Sequence, residues 1–218
     1  MVSDFSLWAQ PWWVNLLILV PALSFLGWRR RGLRLSWRRL LCLLAFGVAF
    51  GFVEAAVVVY LRAGLPPSGA QAASQLAPET YQQIIASLAQ FPRRLLTVEL
   101  CREAATMVML ISVALLTARN AKERWACFLW AFAAWDLTYY AGLWATLGWP
   151  SSLLSLDLLF LIPVPWVSQV WFPVLVSTLS LAAVAWCSGQ TKPAEAREEL
   201  SSARTPAAPE EALPGASD

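Results

Sequence analysis

Residues Leu40 to Leu61 read LLCLLAFGVAFGFVEAAVVVYL, an apolar stretch in which Glu54 is the single charged residue. A helix rises about 1.5 Å per residue and the hydrocarbon layer of a bilayer is about 30 Å thick, so about 20 such residues cross it. The stretch therefore predicts a membrane-spanning helix. Gly47, Gly51 and Ala55 recur every fourth residue, which is typical of a close contact between helices. We expect that contact to keep Glu54 away from lipid.

The same apolar character recurs along the chain and predicts an all-α, polytopic membrane helix bundle. With 58% hydrophobic and only 14% charged residues, the composition does not fit a soluble domain. We predict five spans within a transmembrane domain of residues 1–187. Tryptophans near the ends of these segments fit the two interfacial belts of a bilayer. The predicted spans cover about residues 12–28, 40–61, 95–118, 125–147 and 167–187.

Two prolines interrupt the apolar region before the last span. Pro163 and Pro165 flank Val164, and proline removes a backbone donor and disfavours helix at the residue before it. We therefore predict a half-helix over residues 153–162 that enters from outside and ends at this Pro-Val-Pro corner. The alternative is two short full spans in this region, which would make six crossings in all.

Arginines set the predicted orientation. Six of them lie in residues 29–39, between the first two spans, whereas the segment before Trp12 has no lysine or arginine. The positive-inside rule places this connection and the basic residues 119–124 in the cytoplasm, and the N-terminus outside. The excess of arginine over lysine is typical of a GC-rich bacterial genome. For a bacterial protein with helical spans, we expect the inner membrane.

Two segments are predicted to lie outside the bilayer. Residues 63–92 form an extracytoplasmic loop in which apolar residues recur at helical spacing over 78–90, so we expect an amphipathic interfacial helix there. Residues 188–218 are rich in Ala, Pro, Glu and Ser and predict a disordered cytoplasmic tail.

Charged side chains within the apolar segments are the best pointer to function, because each costs about 2.5–3.5 kcal/mol to insert. The acids fall at overlapping depths in the outer half of the predicted bundle, so we expect one outward-facing cavity. Arg102 follows Glu99 by three residues and can pair with it, and Tyr139 and Tyr140 follow Asp136 on the same helix face. The predicted binding or proton/cation site comprises Glu54, Glu99, Arg102, Glu103, Asp136, Tyr139, Tyr140 and Asp157.

The sequence also limits the cofactors and partners. It contains no histidine, so no haem or His-based zinc site is expected, and any other cofactor or metal stays unknown. The four cysteines lie in apolar segments without a C-x-x-C pair and are interpreted as small hydrophobic residues. A net charge of +2 does not indicate nucleic-acid binding. The expected partners are the lipid bilayer and a small solute, cation or lipid ligand, and the sequence is compatible with an oligomer.

Three functions remain open from the sequence. The leading prediction is proton- or cation-coupled transport of a small solute, because five acids against one arginine leave negative charge that protons or cations must relieve. The first alternative is an intramembrane enzyme or binding protein for a lipid or isoprenoid ligand. The second is a structural or assembly subunit of a membrane complex. No P-loop, G-x-S-x-G or H-E-x-x-H motif favours a particular enzyme class.

Overall fold

The computed structural model describes residues 8–64 and 80–189, which are mostly helical. The first apolar segment begins as a 3-10 helix, η1 (Trp12–Ile18), and continues as the α-helix α1 (Leu19–Trp28). The other helices are α2 (Trp37–Gly64), α3 (Tyr81–Gln90), α4 (Arg93–Thr117), α5 (Ala121–Leu147) and α6 (Trp171–Gly189). A hairpin of two strands, β1 (Leu156–Phe160) and β2 (Trp166–Gln169), separates α5 from α6.

Three helices are long and apolar enough to cross a membrane. They are Trp37–Leu61 within α2, Arg93–Thr117 and Trp171–Gly189. The prediction of membrane-length helices is therefore confirmed at these segments. Trp12–Trp28 is apolar but shorter. The prediction of five spans goes beyond this finding.

Helix α5 forms the centre of the bundle. It packs against α2, α4 and α6, and α1 packs against α6. The closest approach is to the glycines of α2, because a Cβ atom added to Gly51 would lie 2.3 Å from the carbonyl oxygen of Trp135. A Cβ atom on Gly47 would lie 2.8 Å from the carbonyl oxygen of Ala131. The predicted small-residue contact is thus confirmed, and α5 is its partner.

The predicted half-helix over residues 153–162 is wrong, because this segment forms the first strand of the hairpin. Leu156 pairs with Gln169, and Val167 exchanges two further hydrogen bonds with Gln10 on the other edge of β2. A helix this short would leave most of its backbone groups unpaired, whereas strand pairing satisfies them. The Pro-Val-Pro corner is confirmed as the turn of the hairpin. The six-span alternative also fails, since it needs a helix here.

Several boundaries differ from the predicted ones. Helix α6 begins at Trp171 rather than near residue 167 because residues 166–169 belong to β2, and it extends to Gly189, two residues into the predicted tail. The predicted amphipathic helix is α3, which the hydroxyl of Thr80 caps by accepting the N–H of Gln83. Residues 65–79 of the predicted loop and 190–218 of the predicted tail lie outside the described residues.

The cysteines fit the sequence interpretation only in part. All four are free, but only Cys127 and Cys187 are buried, whereas Cys42 and Cys101 lie on the outer surface of α2 and α4. A surface position on a membrane-length helix is compatible with a small apolar side chain that contacts lipid.

Candidate functional site

A cavity of about 450 Å³ lies between η1, α1, α2, α4, α5, α6 and the hairpin. Its volume falls within the range of about 300–1,000 Å³ that is usual for small-molecule sites. On α5 the lining runs from Trp125 to Tyr140, which corresponds to about 22 Å along the helix axis. The cavity is therefore elongated along the bundle rather than round.

The lining of the cavity is polar in one part and apolar in the rest. The polar residues that line it include Glu54, Arg102, Glu103, Thr106, Asp136, Tyr139, Tyr140 and Asp157. The apolar part includes Leu17, Val20, Met107, Trp125, Phe128 and Leu129. Asp136 and both tyrosines belong to the second half of α5, so the charged end faces the hairpin and the apolar end faces the start of α5.

Arg102 joins two acids within the charged end. Its Nε atom donates to the Glu99 carboxylate at 2.8 Å, and a terminal guanidinium nitrogen donates to Glu54. The hydroxyl of Thr106 donates to the other Glu54 oxygen at 2.5 Å. These bonds tie α2 to α4 through a carboxylate that is only 4% exposed. The predicted pairing of Glu99 with Arg102 is confirmed.

Glu103 anchors the hairpin. Both of its carboxylate oxygens accept the backbone N–H of Leu161, at 3.0 and 2.9 Å. Glu103 lies ten residues into α4, or about 15 Å from its start, so the hairpin tip reaches well down the bundle. The backbone of the hairpin tip thus contacts the charged end through an N–H donated to an acid.

The two aspartates each accept a hydroxyl hydrogen bond. Ser177 on α6 donates to Asp136 at 2.8 Å, and Tyr140 on α5 donates to Asp157 on β1 at 2.7 Å. Both aspartates line the cavity. The carboxylates of this end are therefore held in place by side chains from neighbouring elements.

The structure brings together most of the predicted site. Of the eight predicted residues, all except Glu99 line the cavity, and Glu99 contacts it only through Arg102. Sequence reasoning missed Thr106 and Ser177, which bond to the acids from other helices. The sequence gives little signal for them, since α4 and α6 each carry several other hydroxyl residues.

Aromatic rings of α5 form one wall of the cavity. Trp125, Phe128, Phe132, Trp135 and Tyr139 line it at spacings of three and four residues. Successive ring centroids in this series lie 5.5, 5.8, 5.4 and 6.3 Å apart. The hairpin extends this aromatic wall, because Phe160 lies 6.5 Å from Trp135 and 5.4 Å from Trp166. The sequence predicts interfacial belts for the tryptophans near the segment ends and does not predict this wall.

Two indole donors at the cavity lack acceptors. The Nε1 atoms of Trp135 and Trp166 are buried, and neither has a hydrogen-bond partner within residues 8–64 and 80–189. Both tryptophans line the cavity. Buried N–H groups in proteins are usually paired, so two such donors beside one cavity call for an explanation.

The acids do not form a compact metal site. In the described part of the chain, no three Asp, Glu or Cys side chains converge as ligands of one ion. They are instead spread over α2, α4, α5 and β1, and each accepts a hydrogen bond from another part of the protein.

Searches of known protein families, of curated proteins and of solved structures find no match for this chain.

Proposed function

We propose that this chain is an integral membrane protein of the bacterial inner membrane that binds a lipid-like, amphiphilic ligand in its cavity. The observation that carries the proposal is the polarity of the cavity, in which a long aromatic groove along α5 ends in a cluster of charged and hydroxyl side chains. A small hydrophilic solute would leave the apolar groove unfilled, whereas an amphiphile matches both parts.

The proposal includes five crossings with the N-terminus outside. η1 and α1 contribute seven 3-10 residues and ten α-helical residues. At about 2.0 and 1.5 Å per residue these reach about 29 Å, close to the thickness of the hydrocarbon layer. Helix α5 has 27 residues and packs against three neighbours, which supports its crossing despite its lower hydropathy.

Proton- or cation-coupled transport is the second candidate function. One observation favours it, namely that Glu54, Glu103, Asp136 and Asp157 line the cavity with one arginine. Such an excess of carboxylates is relieved by protons or cations. Uptake of a solute into proteoliposomes, driven by a pH or cation gradient, would support this candidate.

Blocking the cavity tests the ligand proposal. Ala104 and Ala105 are both exposed on α4, but Ala104 also lines the cavity whereas Ala105 lies outside the lining, so Ala104→Trp and Ala105→Trp form a matched pair. We expect wild type and Ala105→Trp to co-purify with a bound amphiphile, detected by native mass spectrometry and by analysis of organic extracts. Ala104→Trp should carry at least tenfold less. Equal occupancy in the two variants, or no bound amphiphile in wild type, contradicts the proposal and favours the structural-subunit alternative.

A further inference from the structure

We infer that the ligand is a neutral, unsaturated isoprenoid with a hydroxyl or carbonyl oxygen at one end, rather than a lipid or polyprenyl phosphate. The inference rests on the proposed function and narrows its ligand class. Three independent features of the cavity carry it, namely its charge, the aromatic wall and the two indole donors.

The charge of the cavity disfavours an anionic head group. Among the described residues, Arg102 is the one cationic side chain in the lining, and Glu54 and Glu99 already accept its hydrogen bonds. A phosphate at this end would lie beside carboxylates in a medium of low dielectric constant without a free cation to balance it. A neutral head group avoids this repulsion, and a hydroxyl can also donate to one of the carboxylates.

The aromatic wall favours a rigid chain over a flexible one. Rings from Trp125 to Tyr139 present a continuous aromatic surface, which the hairpin extends through Phe160 and Trp166. A saturated chain confined to this groove would lose much rotational freedom. An isoprenoid with regular double bonds has fewer free torsions to lose, and its planar units pack against ring faces.

The indole donors require an acceptor. Trp135 is 7% exposed and the Nε1 atoms of both Trp135 and Trp166 lack a partner in residues 8–64 and 80–189. A buried donor left unpaired costs free energy, and an oxygen atom of the ligand would supply the missing bond once the indole turns toward the cavity. Trp135 directly precedes Asp136, so the acceptor oxygen would lie beside the charged end of the cavity.

Binding of matched probes tests the inference. The probes are tritiated geranylgeraniol, its fully saturated counterpart phytanol, geranylgeranyl monophosphate, and squalene, which has no polar group. With the full-length protein in detergent, we expect geranylgeraniol to bind at least tenfold more tightly than phytanol or the phosphate. Equal or tighter binding of the phosphate overturns the argument from charge, and equal binding of phytanol overturns the argument from rigidity.

Substitution of the indoles tests the head-group contact. Trp135→Phe and Trp166→Phe keep an aromatic ring but remove the donor, so each should weaken geranylgeraniol binding three- to tenfold and leave squalene binding unchanged. Trp186→Phe, at an exposed position outside the cavity lining, serves as the matched control and should change neither. Equal loss for both probes would indicate a structural role and overturn the contact.

The two proposals fail in different ways. If no probe binds while Ala104→Trp still removes a co-purified amphiphile, the isoprenoid inference is wrong and the proposed function stands. If Ala104→Trp removes nothing and no probe binds, both are wrong.

Discussion

Arg102 neutralises two carboxylates that belong to different helices, and its removal should be costly. Arg102→Met would leave Glu54 buried without a cation, and breaking a buried ion pair costs about 3–5 kcal/mol. Because the Arg102 side chain is 28% exposed, we expect the free energy of unfolding to fall by about 3 kcal/mol, the low end of that range. Denaturant titration in detergent, followed by circular dichroism, measures this change.

The partner of Arg102 provides the internal control. Glu54→Gln keeps a group that can bond with Thr106 but removes the charge, so adding it to Arg102→Met should restore at least half of the lost stability. Arg94→Met, at an exposed position on the same helix, should have little effect. If Arg102→Met is as stable as Arg94→Met, the ion pair is not structural.

Residue contacts were predictable from the sequence only where they are local. Glu99 and Arg102 lie three positions apart on one helix, so helical geometry alone predicts their pairing. The bond from Arg102 to Glu54 spans 48 positions and depends on the rotation of α2 against α4, which depth along a helix does not determine. The same limit applies to the bond between Ser177 and Asp136.

At the scale of elements, the contact between α2 and α5 depends on glycine. A Cβ atom at Gly51 would lie 2.3 Å from the Trp135 carbonyl oxygen and 2.9 Å from the Thr138 Cβ. Both of these atoms are fixed to the α5 backbone, so the clash is relieved only if α2 and α5 move apart. Gly51→Ala should therefore destabilise the protein by about 1–3 kcal/mol, as overpacking typically does.

A second glycine provides the comparison for Gly51→Ala. A Cβ atom at Gly27, near the end of α1, meets nothing within 4 Å, so Gly27→Ala should be neutral or slightly stabilising. Thermal unfolding of both variants in the same detergent distinguishes the two sites. Equal midpoints would mean that the helices can separate at Gly51 without cost.

The position of the hairpin depends on Glu103. Glu103→Ala removes both acceptors of the Leu161 N–H, and a hydrogen bond to a charged group contributes about 1.5–3 kcal/mol. Amide hydrogen exchange over residues 156–166 should therefore speed up about 10- to 100-fold, measured by mass spectrometry. Glu103→Gln, which keeps one acceptor, should give a smaller increase, and Glu99→Ala should leave the exchange of the hairpin unchanged. An equal effect from Glu99→Ala would show that the bond does not hold the hairpin.

The hairpin is also the element that sequence reasoning assigned to the wrong class. Residues 153–162 are apolar apart from Ser155 and Asp157, which alternate with leucines as in a strand, but in so short a run this alternation alone does not exclude a helix. The prolines at 163 and 165 correctly predicted a turn. What decides the strand is its pairing with Val167, which in turn pairs with Gln10 from the distant N-terminal segment.

At the scale of the whole molecule, the membrane-length helices α2, α4 and α6 follow from composition and length. Their arrangement does not, because α5, which is not among the helices apolar enough to span a membrane, forms the centre. It carries Lys122 and Arg124 at its start, and their bonds to the carbonyl oxygens of Gly32 and Ala118 hold the basic connections together. Polar residues within α5 are buried against three neighbours, so low hydropathy here marks a central helix.

Cysteine labelling tests both the orientation and the crossing of α5. Ser36 and Ser152 are exposed. Ser36 directly precedes α2 in the sequence and Ser152 follows α5, so the helices α2, α4 and α5 lie between them. In a background without the four native cysteines, Ser152→Cys should react with an impermeant maleimide in intact spheroplasts, and Ser36→Cys only after permeabilisation. Three crossings put the two positions on opposite sides, and the arginines before α2 put Ser36 inside.

Each other labelling pattern identifies a different error in the topology. The reversed pattern would mean that the arginine-rich connection faces outward, contrary to the positive-inside rule. Labelling of both positions from one side would mean that one of α2, α4 and α5 does not cross. Because α2 and α4 meet the length and hydropathy of a span, α5 would be the helix in error, and the cavity that it lines would then lie outside the bilayer. In that case the aromatic wall could not receive a ligand directly from the bilayer.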